Sequence, residues 1–289
     1  MKRKLIGWQR HGWVKKFYLF GIPILKKESL SRLMIEQIDQ LKRELERIKQ
    51  ITIPALVNHP GVFEKYKGIY AGKDVAIIGT GPSLDLYTPI PGVIHIGANR
   101  TYQHKSIELD YLFIQDGGTP QNPHIVELPE LIEYRKGKCV KFFGYNLHLP
   151  INEEFADACG AERYYLEPSR PENPFAFVPV DLAHQPFSCS FSVILVAFQF
   201  ALWCRPKRIY IVGCDTSNNG YFKDSYGKKE KQHLDVSELC EAWAEMARFA
   251  KAHYPDIEII SINPVGLKGL FTDATMTDGK LEIQENTQS

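Results

Sequence analysis

The chain has 289 residues, 44% of them hydrophobic, which is enough for one large core. A formal net charge of +1 gives no general case for nucleic-acid binding, and the composition is not that of a disordered chain. The six cysteines, at 139, 159, 189, 204, 214 and 240, contain no Cys-x-x-Cys spacing, so scattered reduced thiols are expected rather than zinc or dithiol chemistry.

The neutrality hides an asymmetry. Residues 1–29 carry eight bases against Glu28 alone, a charge of +7 that leaves −6 for the remainder. Charges at Arg10 and Lys15 interrupt any apolar run of signal-peptide length, and nowhere do about 18 to 20 apolar residues follow one another. A cytoplasmic location follows. The bases of this arm interleave with Trp8, Trp13, Phe17, Tyr18 and Phe20. Two readings are open: residues 1–28 rest peripherally on the inner face of a membrane, or they pack as an edge on the main domain. From Ser29 a helix is predicted, because Met34, Ile38, Leu41, Leu45 and Ile48 alternate steps of four and three. So short a seam more often packs on its own domain, with a homo-oligomer as the other option. Pro54 and His59-Pro60-Gly61 break the pattern and predict a linker, giving an appendage over residues 1–70.

After Lys73 short apolar runs alternate with helical stretches. Strands are predicted at Val75 to Gly79, Val93 to Gly97, Tyr111 to Gln115, Val140 to Phe143, Arg208 to Gly213 and Ile257 to Ile262. Helices are predicted at Phe191 to Trp203 and Val236 to His253, with weaker signals at Leu128 to Tyr134 and Glu153 to Ala158. Continuous apolar strands separated by helices imply an α/β fold, a doubly wound, mainly parallel sheet covered on both faces. The binding domain should span residues 71–273. Residues 144–186, rich in proline and aromatics, form a lid or small subdomain, and 274–289 a polar tail.

Ligands of such a sheet bind beyond the carboxyl ends of its strands, and those ends are polar here. They carry Gly79-Thr80-Gly81-Pro82-Ser83, then Asn99-Arg100, Gln115-Asp116, the run Gly213 to Gly220 that includes Asp215, and Asn263-Pro264. Glycines after a strand let the backbone approach a ligand, and the amides of the next turn suit a phosphate. A dinucleotide is disfavoured: Leu84 replaces the third glycine of Gly-x-Gly-x-x-Gly, and Asn99 stands where an acid would meet the ribose. No Gly-Lys-Ser or Gly-Lys-Thr marks a Walker loop. The plain alternative for the glycine loop is a tight strand-to-helix connection capped by Ser83, which explains one loop but not five polar strand ends together.

The runs IIGTGPSL, IGANRTY, SFSVILVAFQFALWCRPKRIYIVGCD and SINPVGLKGLF, spread over residues 74–271, resemble the bacterial sialyltransferases of glycosyltransferase family 42. They are similar also to the related Maf-type proteins that attach nonulosonic sugars to flagellin. The resemblance implies a Rossmann-like, GT-A-like variant fold. It implies a CMP-activated sialic acid or related sugar as donor substrate, no cofactor and no metal, and a surface glycan or protein as acceptor. Carried over position by position, nucleotide binding falls on Gly79, Gly81, Pro82, Ser83, Asn99, Ser190 or Ser192, Asp215, Asn263 and Pro264; the polar strand ends add Thr80, Gln115, Asp116 and Gly213 to the candidate nucleotide-binding residues. Thr80 stands where these sialyltransferases place asparagine. Ser217 stands where a tyrosine is expected, leaving Tyr221 and Tyr226 to support the leaving phosphate. The turn Gln115-Asp116 leans towards the Maf-type group. Maf-type relatives also resemble archaeal pterin diphosphokinases, which would need ATP and magnesium; a non-catalytic nucleotide-binding protein of the same fold is a third reading.

Transfer needs a base with a pKa near neutrality for the acceptor hydroxyl. His233, ahead of the helix at Val236, is the candidate; the plain alternative is a solvated histidine beside Lys231 and Asp235. Charge growing on the phosphate would meet amides near Gly81, the hydroxyls of Tyr221 or Tyr226, and Lys223 or Lys228, although such lysine runs are more often mobile surface. No Asp-x-Asp closes a strand, no histidine spacing suggests a metal site, and Ser190-Phe191-Ser192 lacks a nucleophile elbow.

Overall fold

The computed structural model describes residues 6–11, 14–19, 22–28, 30–115, 129–145, 151–167, 178–188, 192–223 and 236–284. The chain divides into two compact units, Met1–Gln50 and Ile51–Ser289.

In the first unit β1 (Ile6–His11), β2 (Val14–Leu19) and β3 (Ile22–Glu28) form an antiparallel sheet in sequence order. Ile6 lies opposite Leu19 and Leu19 opposite Ile22, with an irregularity at Phe17 and Tyr18. The sequence predicts only an arm here, because its bases distract from a composition rich in strand-forming aromatic and β-branched residues. Helix α1 (Leu30–Arg47) follows and passes into a π turn over Ile48–Thr52. The seam side chains Met34, Ile38, Leu41, Leu45 and Ile48 are exposed.

The second unit begins with α2 (Ile53–Phe63), in the segment predicted to be a linker. Pro54 sits in the first turn, where no N–H is needed, and Pro60 is accommodated within the last. Burial overrides the breaker residues: Ala55, His59 and Phe63, spaced by four, turn one face inward. Tyr66 and Tyr70 follow Phe63 into the same core, so the α/β unit starts some 20 residues before the predicted boundary at 71.

The sheet has ten strands. In chain order they are β4 (Asp74–Ile78), β5 (Ile94–Ala98), β6 (Tyr111–Ile114), β7 (Val140–Tyr145), β8 (Glu162–Glu167), β9 (Phe187–Ser188), β10 (Arg208–Val212), β11 (Glu258–Ile262), β12 (Thr272–Thr277) and β13 (Lys280–Ile283). Their spatial order is β13-β12-β11-β10-β4-β5-β6-β7-β8-β9, and every neighbouring pair is parallel except β12 with β13. This is the predicted doubly wound, mainly parallel α/β sheet. Its helices are α3 (Pro129–Glu133), α4 (Glu153–Ala158), α5 (Val193–Trp203) and α6 (Val236–His253). Alternation feeds two cores: Val75 and Ile77 join α2, α5 and α6 on one face, while Ala76 and Ile78 join Leu84, Leu131 and Ala156 on the other.

From β4 the chain adds strands outward to β9. The fully buried helix α5 then returns across β4, β5 and β6 and delivers β10 to the other side of β4. The strand order therefore reverses between β4 and β10, and a crevice opens at such a reversal. Two predicted segments differ. Within 144–186, the described residues mostly extend the sheet through β7, α4 and β8 rather than forming a lid; 146–150 and 168–177 lie outside the described residues. The predicted polar tail contributes the end of β12 and all of β13, whose alternating polar residues suit a half-exposed edge hairpin.

No helix among the described residues is long and apolar enough to cross a membrane.

Candidate functional site

At the reversal the ends of β4 and β10 close directly on each other. Gly79 N donates to Val212 O at 2.8 Å and Gly81 N to Gly213 O at 2.7 Å. A Cβ on Gly79 would lie 2.4 Å from Gly213 O, and one on Gly81 would lie 2.6 Å from Asp215 Cγ. These glycines are required so that the chain can approach itself. Their missing side chains let the two strand ends meet.

Asp215 is buried, and its carboxylate accepts from Ser83 N at 2.9 Å and from Ser83 Oγ. Ser83 lies in a short 3₁₀ turn, Pro82–Leu86, so a carboxylate from β10 occupies the amide and hydroxyl that the sequence assigns to a phosphate. Gly213, with φ of +64°, turns the chain towards this clasp. Asp215 O then accepts from Gly266 N at 2.8 Å, which joins the loop after β11 to the same corner.

The segment after Asp215 folds over the glycine loop. Phe222 N donates to Thr80 O at 3.0 Å, and Lys223 N donates to the Asp85 carboxylate at 2.9 and 3.1 Å. Phe222 is fully buried, its ring centroid 5.5 Å from that of His104. This anchoring sets Tyr221 beneath Arg100, with the guanidinium carbon 5.1 Å from the ring centroid. Arg100 is 8% exposed. The sequence marks Arg100 only as part of a polar strand end; its meeting with Tyr221, 121 positions on, has no local signal.

Asn99 opens the turn after β5 with φ of +47°, and its Oδ1 lies 3.4 Å from Gln115 N at the end of β6. Gln115 is buried there. After β11, Asn263 has φ of +51°; its N–H donates to Ala274 O at 2.8 Å and its Oδ1 accepts from Met276 N at 3.0 Å. Its oxygen thus fastens β12, a structural duty that the sequence does not reveal. Thr216, after β10, has φ of +49°. Three non-glycine residues in left-handed conformation therefore follow three parallel strands at one edge, the kind of stored strain that functional sites hold. At this edge Ser217 Oγ and Asn263 Nδ2 are buried and have no partner among the described residues.

The predicted site is brought together in part. Gly79, Thr80, Gly81, Pro82, Ser83, Gly213 and Asp215 meet around the β4–β10 corner; Asn99 and Gln115 meet at the ends of β5 and β6. Ser192 precedes α5 and makes no side-chain cap bond. Asp116, Ser190, Tyr226, Lys228 and His233 lie outside the described residues. Among the described residues no three His, Cys, Asp or Glu side chains are grouped as a metal site. Burial drives the thiol pKa of Cys214, beside Asp215, well up.

No family model matches the chain, and no curated protein matches it. Among solved structures, the monofunctional alpha-2,3-sialyltransferase Cst-I from Campylobacter jejuni is similar at 13% identity. That match covers 75% of this chain and 86% of the other at a TM-score of 0.35, a likeness too slight to carry an argument.

Proposed function

We propose that the chain is a glycosyltransferase that holds a nucleotide-activated sugar at the carboxyl edge where β4 and β10 diverge. The donor in this reading is a CMP-linked nonulosonic sugar such as sialic acid. The observation that carries it is the pair of buried polar atoms with no partner among the described residues, Ser217 Oγ and Asn263 Nδ2, beside left-handed residues at that edge. Native chains rarely leave such atoms unmet, and a ligand's own hydroxyls and carbonyls would complete them. Arg100 stacked on Tyr221 supplies a buried cation and a phenol on the neighbouring strand end, which suits the negative charge that grows on a departing phosphate. Asp215 has a positioning role here, fixing the Ser83 turn so that ligand contacts fall on the ends of β5, β6 and β11. His233, ahead of α6, is the proposed base for the acceptor hydroxyl, and displacement is direct, without a metal.

Calorimetry with CMP, UDP, ADP and ATP, each with and without magnesium, tests the donor. CMP should bind in either condition and the adenine nucleotides weakly. Magnesium-dependent ATP binding without CMP binding would replace this reading with pyrophosphate transfer. His233→Ala should keep CMP binding while transfer falls by about 100-fold or more. Wild-type transfer by that variant would remove His233 from the mechanism, and absence of any transfer by the wild type with CMP binding intact would leave a binding protein.

A further inference from the structure

Of the fifteen large apolar side chains that the described residues expose, seven lie between Leu33 and Ile48. The five seam positions are 39% to 69% exposed, Leu41 the most. A helix surface with that much apolar area in contact with water marks an interface.

The occupant can be read from the heptad. Steps of four and three assign Met34, Leu41 and Ile48 to d and Ile38 and Leu45 to a. The flanking e positions then hold Ile35, Lys42 and Lys49, the last at the start of the π turn, and the g positions Gln37 and Glu44. In a parallel pair each g residue faces the e′ residue five positions on, so Glu44 meets Lys49 of the second copy and Gln37 meets Lys42, twice each by symmetry. The antiparallel arrangement sets e against e and g against g, which loses the pairing of Glu44 with Lys49. Within one chain Glu44 and Lys49 make only exposed or part-exposed bonds, to Arg47 and Glu46, that cost little to exchange. The polar face of α1 mixes both signs, through Arg32, Glu36, Asp39, Lys42 and Glu44 among others, unlike the uniformly basic face of a helix that lies on lipid.

We propose that α1 is a self-association element: two copies of this chain join through a short parallel coiled coil along the seam from Met34 to Ile48. A two-heptad peptide would not hold its helix alone. Here α1 is already helical in each chain, so the nucleation cost falls away. Only the burial of a short seam drives association, which makes it reversible and dependent on concentration.

Sedimentation equilibrium of the full chain over a range of concentrations reads the mass, with circular dichroism confirming that each variant is folded. The wild type should move from monomer towards dimer as concentration rises. Ile38→Asp with Leu45→Asp, both at exposed positions, should leave a folded monomer throughout. Glu44→Lys alone should weaken the dimer several-fold, by about 3- to 10-fold for two like-charge contacts. Glu44→Lys with Lys49→Glu should restore it to within about twofold, since the exchanged pair is again opposite in sign. A wild type that stays monomeric, a dimer untouched by the two aspartates, or a double exchange that fails to restore association would each overturn the proposal. So would a monomer whose anionic phospholipid vesicle binding is lost on introducing the two aspartates, for then the seam is a lipid face.

Discussion

His59 is wholly buried in α2, and only one protonation state suits its surroundings. Its Nε2 accepts from Tyr165 N at 3.0 Å, so the ring proton is on Nδ1, which faces Leu182 O at 3.1 Å and Gln185 O at 3.0 Å. Burial holds its pKa down to about 4 from 6.5, against the opposing pull of the two carbonyls. Between those values the unfolded chain binds the extra proton. The contribution of His59 to stability is therefore complete above pH 6.5, declines as pH falls, and is lost by about pH 4. The difference amounts to roughly 3 kcal/mol. Urea midpoints at about pH 7 and pH 4.5 should separate more for the wild type than for His59→Gln, whose side chain does not titrate in that range. Equal separations would show that the acid sensitivity comes from elsewhere.

At the scale of elements, α5 is apolar all round, as a helix covered on every side must be, with one exception. Gln199, 3% exposed, accepts from Ser188 N at 2.9 Å and donates to Ser188 O at 3.1 Å and Leu195 O at 3.0 Å. It thereby ties α5 to β9, the last strand of the sheet among the described residues. Gln199→Leu should cost about 1–3 kcal/mol in thermal or urea unfolding, because it removes these buried hydrogen bonds. An unchanged midpoint would mean that water reaches Ser188. Six parallel strands, β4 to β7, β10 and β11, and the helices α5 and α6 were readable in the sequence because each carries a continuous or helically periodic apolar pattern, whereas β8 fell in the segment predicted to be a lid and β9, two residues long, gave no signal. Strands β12 and β13 were not readable either, since Thr272–Thr277 and Lys280–Ile283 are mostly polar and become strands only by pairing. Likewise α2 hides behind Pro54, Pro60 and Gly61, and only the core contacts of Phe63 and its neighbours make it a helix. For the candidate site, polarity after each strand marked the carboxyl edge at which the strand order reverses. The clasp of Ser83 by Asp215 and the stacking of Arg100 on Tyr221 stayed hidden, because each joins residues more than a hundred positions apart.

At the scale of the molecule, the boundary between the units decides which truncations survive. A chain beginning at Ile51 keeps every aromatic of the core and should unfold cooperatively. One beginning at Ala71 loses Phe63, Tyr66 and Tyr70, and with them the bond from Trp203 Nε1 to Phe63 O at 2.9 Å. At about 3–5 kcal/mol for each buried aromatic, that loss matches a typical domain's entire stability of about 5–15 kcal/mol. The shorter chain should be unfolded or aggregated by circular dichroism and light scattering, and a cooperative transition in it would place the core elsewhere.

The clasp between Ser83 and Asp215 spans 132 positions, and this fixes the order of events at the ribosome. At about 5–20 residues per second, Ser83 emerges roughly 7–26 s before Asp215. During that interval β4 has no β10 beside it, and the turn after it has nothing to close upon. A nascent chain can thus gather half a sheet while the corner between β4 and β10 is still open, and a stop codon ahead of Arg208 would yield a product in which the Ser83 turn never meets its carboxylate.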